Sequence, residues 1–142
     1  MSTDIMGSQY KVFFSWQSED KKSRTALGVA LQNAVEVLND RGIRLEIDHS
    51  TLGESGMPSV DQTILREIDA CDMFLADVTP VINYQKKSGD GMQVSKEVSN
   101  PNVLLELGYA KSALGVGYVI VAARQGNWVS ENMPFDVNHR AI

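Results

Sequence analysis

The chain has 142 residues, which is enough for one domain with a hydrophobic core of its own. Its 43% hydrophobic and 22% charged residues are typical of a globular protein, and no apolar run approaches the roughly 18 residues that cross a bilayer. With 18 acidic and 13 basic residues, the net charge of −5 argues against a binding surface for a nucleic-acid polymer but not against a local pocket for an anionic ligand.

The first half of the chain predicts two strand-helix pairs. An apolar run from Tyr10 to Phe14 indicates a buried strand that ends in polar residues 15–18. Apolar residues at helical spacing then predict a helix from about Ser23 to Asn39, which Gly42 ends. Residues 43–48 form the second predicted strand, and a loop follows over 49–58. Ser59 is the predicted cap of a second helix, with Gln62 completing a capping box.

The second half predicts one long connection between a third strand and a third helix. The third strand covers residues 72–78, and the polar segment 79–99 is long for a loop, which is typical of a functional or mobile segment. Asn100 and Pro101 open a helix that runs to about Leu114 and that glycines close. A fourth strand covers residues 117–123, and no element is predicted in 124–142.

Alternating strands and helices of this spacing indicate an α/β fold of the flavodoxin-like or TIR-like kind. We expect a parallel sheet with helices on both faces and the strand order 2-1-3-4. Since further elements of such a fold are not predicted after residue 124, we expect residues 1–142 to be a single domain excised from a longer protein.

Cysteine and histidine usage indicates the compartment and argues against a metal. A single cysteine, Cys71, excludes an internal disulfide and fits the reducing cytoplasm, and its place beside the third strand predicts a core position. His49 and His139 lie far apart in the sequence and no cysteine pair exists, so no metal site is predicted.

Polar residues follow each predicted strand, where ligands of open parallel sheets gather. Asp48 and Asp77 end strands, although aspartate there also commonly binds loop amides. Trp16 is a candidate for stacking on a nucleobase or nicotinamide, and equally a half-buried rim residue. Arg24, near a helix start, is a candidate for a phosphate or is simply solvated. We expect these groups and Ser15 to converge on one crevice.

Glu106 is distinguished by its position on the third helix. It lies in the second turn, about 60° from the centre of the apolar stripe, near the helix end that faces the crevice. A carboxylate at the margin of a buried face is partly desolvated, as catalytic groups often are. The alternative is a surface glutamate that the helix dipole favours.

Four blocks of this sequence resemble bacterial TIR-like domains, a family that occurs in antiphage defence proteins, often fused to a module that senses a cyclic nucleotide. The blocks are KVFFSWQSE at 11–19, IDHSTLGESGMP at 47–58, CDMFLADVTP at 71–80 and NPNVLLELGYAKSALG at 100–115; PFDVNHRAI at 134–142 also resembles the family's continuation. The resemblance covers nearly the whole chain.

The resemblance implies an NAD⁺ glycohydrolase or ADP-ribosyl cyclase with Glu106 as the catalytic residue and NAD⁺ as a substrate, with no cofactor. It also implies self-association through the loop at 49–58. The residues expected to contact substrate are Ser15, Trp16, Arg24, Asp48, Asp77 and Asn102.

A single glutamate suits this chemistry. Glycosidases use a second carboxylic acid to protonate an alkoxide leaving group, whereas nicotinamide leaves NAD⁺ as a neutral molecule. Two alternatives stay open. The glutamate block also resembles nucleoside 2-deoxyribosyltransferases, although their first loop is expected to be glycine-rich, unlike Ser15-Trp16-Gln17. The other is a TIR module that binds other TIR domains without catalysis.

Overall fold

The computed structural model describes residues 7–49 and 62–124. Within them the chain order is β1 (Gln9–Ser15), α1 (Lys21–Asp40), β2 (Arg44–His49), α2 (Gln62–Asp69), β3 (Met73–Asp77), β4 (Ile82–Lys87), β5 (Gln93–Val98), α3 (Pro101–Leu114), a 3₁₀ turn (Val116–Tyr118) and β6 (Val119–Ala122). The predicted Ser59 cap, most of the loop at 49–58 and the tail beyond 124 lie outside the described residues.

The four strands β2, β1, β3 and β6 form a parallel sheet in that spatial order. This confirms the predicted order 2-1-3-4, with β6 in the place of the fourth predicted strand. The connection from β3 to β6 runs through α3, as parallel pairing requires a crossover.

The sheet has one hydrophobic cluster on each face, and alternate residues of the central strands point into one or the other. Phe13 of β1 and Phe74 of β3 face α2 and α3, and their rings stack with centroids 5.6 Å apart. Val12, Phe14 and Leu75 face the other way and pack against α1. Because side chains alternate along a strand, each central strand contributes to both clusters. The sheet therefore carries helices on both faces, as predicted.

The helix boundaries follow the predicted signals closely. Asp20 caps α1 by accepting a hydrogen bond of 3.1 Å from the backbone N–H of Ser23. Gly42, after α1, and Gly115, after α3, both have positive φ, a conformation that glycine adopts without steric cost. Along α1, Leu27 and Leu31 are half-buried, whereas the apolar Ala30 is exposed.

The predicted loop at 79–99 is instead a β-hairpin. Strands β4 and β5 pair antiparallel from Ile82 opposite Val98 to Lys87 opposite Gln93, and they form a sheet separate from the parallel one. All six residues of β4 are exposed. The sequence of this segment predicts a loop because β4 is exposed on both faces. Such a strand lacks the alternation of apolar and polar residues by which a half-buried strand is recognised.

Cys71 lies in the core, as predicted. Its side chain is buried within the cluster formed with α2 and α3, and its thiol donates to the carbonyl of Ile68 at 3.0 Å. Burial raises the pKa of this thiol, which keeps it protonated and unreactive. No helix among the described residues has the length and apolar character needed to cross a membrane.

Candidate active site

Ser15 and Glu106 meet at the carboxyl end of β1. The Ser15 hydroxyl donates a hydrogen bond to Glu106 Oε2 at 2.6 Å, and both side chains are buried. Ser15 is the last residue of β1 and Glu106 lies in the second turn of α3. The bond therefore joins the end of a central strand to the helix packed on it, at the edge where open parallel sheets bind ligands.

Glu106 is more deeply buried than its helical position predicts. Its side chain is 6% exposed and shares the buried face of α3 with Val103, Leu107 and Ala110. A short hydroxyl-to-carboxylate bond is what a buried carboxylate needs, because a buried charge without a donor is strongly destabilising. The surface-glutamate alternative is therefore wrong for this residue.

Burial sets the protonation behaviour of Glu106. Desolvation raises the pKa of its carboxyl, and the negative charge of Glu67 on α2 adds to the rise. The hydrogen bond from Ser15 opposes both effects because it stabilises the ionised form. A carboxylate with little surrounding water interacts strongly with any positive charge that develops beside it.

Asn100 and Gln17 hold α3 in place above β1. The Asn100 side chain caps α3 by accepting from the backbone N–H groups of Asn102 and Val103, and its amide nitrogen donates to both carboxylate oxygens of Glu19. Gln17 Oε1 accepts from the Asn100 backbone N–H at 3.1 Å. The start of α3 is thus fixed to the loop after β1, and this fixes the height of Glu106 over Ser15.

Gln17 also joins the loop to the end of β3. It is 1% exposed, and its amide nitrogen donates to the carbonyl of Thr79 at 2.6 Å. The sequence indicated only that Gln17 follows a strand among polar residues. Its role depends on two partners more than sixty positions away, so no local signal identifies it.

Asn102 and Asp48 lie on the same side of the sheet as Glu106. Asn102 is half-buried and precedes Glu106 by four residues, which places the two on one side of α3. Asp48 pairs in register with Phe13, so it faces α2 and α3, two residues below the level of Ser15. Of the residues predicted to contact substrate, Asn102 is the one that shares α3 with Glu106.

Trp16 and Arg24 lie on the opposite side of the sheet. Trp16 packs against the cluster of Val12, Phe14 and Leu75 that α1 covers. The guanidinium carbon of Arg24 lies 3.6 Å from the centroid of the Trp16 ring, in a cation–π contact. The expectation that all predicted residues converge on one crevice is therefore wrong for this pair. It is also wrong for Asp77, which alternates with Ala76 along β3 and so faces α1.

Asp77 is a buried carboxyl beneath the start of α1. Its Oδ1 accepts from the Thr79 backbone N–H at 3.0 Å and from the Thr79 hydroxyl at 2.7 Å. Among the buried side chains of the described residues, Asp77 Oδ2 is the one oxygen atom without a hydrogen-bond partner. Desolvation raises the pKa of this carboxyl although the bonds from Thr79 lower it. Asp77 therefore fixes the loop after β3. Of its two predicted roles, substrate contact and the binding of loop amides, the structure shows the second.

A chain of hydrogen bonds extends from Thr79 to the end of β6. The Thr79 hydroxyl accepts from the backbone N–H of Arg124 at 2.9 Å and is bonded to the buried Ser23 hydroxyl at 3.3 Å. The Arg124 side chain donates to Ser23 at 3.1 Å and forms an ion pair with Asp20, also at 3.1 Å. Arg124 follows β6, where the sequence predicts no element, and so it was not predicted as a site residue.

An open depression of about 560 Å³ lies where α1 begins. The loop before α1, its first two lysines, the residues after β3 and Arg124 form its walls. The volume is in the range of cavities that hold a nucleotide-sized ligand. Acidic Glu19 and Asp20 face basic Lys21, Lys22 and Arg124, so the depression is mixed in charge.

Neither a metal centre nor a related protein identifies the site. Among residues 7–49 and 62–124, histidine, cysteine, aspartate and glutamate form no group of three or more that could hold a metal ion. No protein-family model, no curated protein and no solved structure matches the chain. The geometry around Glu106 is therefore the basis on which a function is proposed.

Proposed function

We propose that this chain is a TIR-like NAD⁺ glycohydrolase that cleaves the bond between nicotinamide and ribose, with Glu106 as its catalytic carboxylate. The observation that carries the proposal is the Ser15–Glu106 pair, a buried carboxylate held by a hydroxyl at the carboxyl edge of a parallel sheet. The sequence resemblance supplies the reaction, and the burial of Glu106 supplies the reason that one carboxylate suffices.

The reaction needs stabilisation of positive charge more than it needs an acid. As the C–N bond to ribose breaks, its electron pair goes to the pyridinium ring and nicotinamide leaves as a neutral molecule. The ribose carbon becomes oxocarbenium-like, and an ionised Glu106 beside it lowers the energy of that state. Water then adds to the carbon and releases a proton, giving ADP-ribose.

Ser15 serves as a positioning residue in this proposal. Its hydroxyl donates to one carboxylate oxygen of Glu106, which fixes the rotamer and favours the ionised form of the carboxyl. Asn102, one helical turn before Glu106, is the nearest polar side chain of α3 toward the open edge and is suited to hold a ribose hydroxyl.

The decisive experiment compares two substrates in parallel. Purified protein is incubated with NAD⁺ and, separately, with deoxynucleosides, and released nicotinamide or base is quantified by chromatography. We expect nicotinamide release from NAD⁺ and none of the free base from deoxynucleosides. Base release alone would assign a deoxyribosyltransferase-like activity, and self-association without either product would assign a non-catalytic TIR module. The resemblance to TIR-like domains implies that activity requires self-association. The assay therefore includes an artificially oligomerised form of the protein.

A matched variant distinguishes the loss of Glu106 from the loss of any one negative charge. Glu106→Gln and Glu36→Gln make the same chemical change, but Glu36 is exposed on α1. We expect the first to lose nicotinamide release and the second to retain it, with both unfolding cooperatively.

A further inference from the structure

A second cavity lies on the other side of the sheet from Glu106. It has a volume of about 180 Å³ and lies between α1 and the carboxyl ends of β1 and β2. Phe14, Leu31 and Ile47 give it apolar walls. Phe14 precedes Ser15 by one residue in β1, so the two side chains point to opposite faces of the sheet. The cavity is therefore separate from the Ser15–Glu106 pair.

Gly28 keeps one wall of this cavity open. It lies in the middle of α1 with an ordinary negative φ, so the backbone conformation does not require glycine. A Cβ atom added there would meet nothing within 4 Å, so packing does not require glycine either. Glycine inside a helix is destabilising relative to alanine. The open space beside Gly28 is part of the cavity, which this residue lines.

The polar groups of the cavity lie in an ordered arrangement around that space. Arg24, Gly28 and Gln32 follow one another at intervals of four residues, so they lie along one side of α1. The Arg24 guanidinium lies over the Trp16 ring at 3.6 Å, which forms a planar platform at one end. Gln32 is exposed and brings a donor and an acceptor to the rim of the cavity, where the imidazole of His49 also lies.

Size and chemistry select the class of ligand. An apolar cavity of about 150 Å³ holds a benzene molecule, whereas sites for drug-sized ligands begin near 300 Å³. About 180 Å³ thus suits one planar ring system and is too small to enclose an entire dinucleotide. Guanidinium and indole planes favour stacking of a flat ring, and a glutamine amide pairs with the adjacent acceptor and amino group of adenine.

We propose that this cavity is a binding site for a planar nitrogen heterocycle of the adenine type, distinct from the proposed catalytic site. The ring stacks at the Trp16–Arg24 platform, occupies the space beside Gly28 and forms hydrogen bonds with Gln32. The proposal does not depend on the cleavage of NAD⁺, because no residue of the Ser15–Glu106 pair lines the cavity.

The test uses nuclear magnetic resonance of the full chain with ¹⁵N-labelled tryptophan. The sequence contains two tryptophans, and Trp16→Phe assigns the two indole signals. We expect titration with adenine to shift the Trp16 signal in a saturable manner. Adenosine 5′-monophosphate is titrated in parallel to distinguish a site for the free base from a site for the base of a nucleotide. No saturable shift with either probe at millimolar concentration would overturn the proposal.

Variants of α1 test the location of the site. Gly28→Leu fills the open space and is expected to weaken adenine binding at least tenfold, while the exposed Asn33→Leu makes a similar apolar change on the same helix and leaves binding unchanged. Gln32→Leu is expected to weaken adenine binding at least threefold. Toluene, an apolar ring that forms no hydrogen bonds with Gln32, should bind this variant as it binds the parent. Unchanged adenine affinity in Gly28→Leu, or toluene binding without adenine binding, would refute the assignment. Nicotinamide release plays no part in these measurements, so the proposed function can fail or hold independently.

Discussion

The hydroxyl of Ser15 lies 2.6 Å from a carboxylate oxygen of Glu106, although 91 residues separate them in the sequence. The contact requires three conditions to hold together. The strand β1 must end at Ser15, α3 must begin at Pro101, and the Gln17–Asn100 bond must hold the helix at the correct height. The carboxylate is thus placed by the fold as a whole.

Replacing Glu106 tests the chemical step. Glu106→Gln keeps the size of the side chain and an acceptor for the Ser15 hydroxyl, but it removes the negative charge. We expect nicotinamide release to fall at least a hundredfold, about 3 kcal/mol of transition-state stabilisation, which is typical for loss of one preorganised electrostatic group. The measurement is the initial rate of nicotinamide release by a folded variant, with Glu36→Gln as the control. Full activity in folded Glu106→Gln would remove Glu106 from the mechanism.

Replacing Ser15 tests the pH dependence. In the proposed mechanism Glu106 acts as an ionised carboxylate, so the rate should rise with pH through its pKa, which burial places above the usual glutamate value of about 4.3. The Ser15 bond lowers that pKa, and its removal in Ser15→Ala should therefore move the acid limb to higher pH. The pH profile of kcat is the measurement, and the exposed Ser112→Ala on α3 is the control. A limb that stays in place or moves to lower pH contradicts the assigned role.

The burial of Glu106 also makes a prediction about stability. Because its folded-state pKa is raised, the folded protein binds the proton more tightly than the unfolded chain, and the stability contributed by this group falls as pH rises through that window. Glu106→Gln should therefore be more stable than the parent above the pKa of Glu106, by about 1.4 kcal/mol for each unit of displacement. Urea unfolding at several pH values measures this difference.

The same experiment contains its own check. The difference between Glu106→Gln and the parent should disappear at pH values below 4, where the glutamate is protonated in both states. Asp77 also has a raised pKa, but it is present in both proteins and cancels in the comparison. A constant difference across the pH range would mean that packing, and not charge, separates the two proteins.

Two helical glycines provide a paired test of helix stability. Gly28 in α1 and Gly108 in α3 each have open space where a Cβ would stand. Alanine at either position is expected to raise the free energy of unfolding by about 0.5–1 kcal/mol, since it restricts the unfolded chain without a clash in the folded one. Denaturant midpoints measure the effect. Destabilisation by Gly28→Ala but not by Gly108→Ala would show that α1 depends on glycine for its own packing.

Assembly is tested through the loop at 49–58, whose residues from 50 onward lie outside the described part of the chain. Its sequence combines glycines with the apolar residues Leu52 and Met57, which predicts docking on a neighbouring subunit. The resemblance to TIR-like domains implies the same, because that family uses this loop for self-association. We expect NAD⁺ turnover to rise faster than linearly with protein concentration. Leu52→Asp should lower turnover and self-association together, whereas aspartate at the exposed Val37 of α1 should not. Turnover strictly proportional to concentration would favour an unpartnered surface loop.

Much of the parallel sheet was predictable because its signals are local. Asn100 and Pro101 predict the start of α3 by capping chemistry alone, and the apolar run from Tyr10 to Phe14 predicts β1 by its composition. The hairpin was missed because burial, on which strand patterns depend, is absent from β4. A weaker signal was present: Gly91 has positive φ at the hairpin tip, within the glycine-rich sequence SGDG that separates the two strands.

The candidate residues lie on two faces of the sheet, and for Ser15 and Trp16 this division could be predicted from the sequence. Ser15 and Trp16 are neighbours in the chain, and successive side chains at the end of a strand point to opposite faces. Ser15 therefore meets Glu106, and Trp16 meets Arg24. The roles of Gln17 and Arg124 were not predictable in this way, because their partners come from distant segments that only the folded chain brings together.

The hairpin of β4 and β5 has a consequence for how this domain can vary. Its two strands pair with each other and not with the parallel sheet, and it joins the rest of the chain at its base, where Ser99 donates to the carbonyl of Val78 at 2.7 Å. Residues added or removed at the tip would alter neither the register of the parallel sheet nor the height of α3 above it. This arm, inserted between the strand that carries Asp77 and the helix that carries Glu106, is thus a position where related proteins can change in length and surface while the residues beneath stay in place.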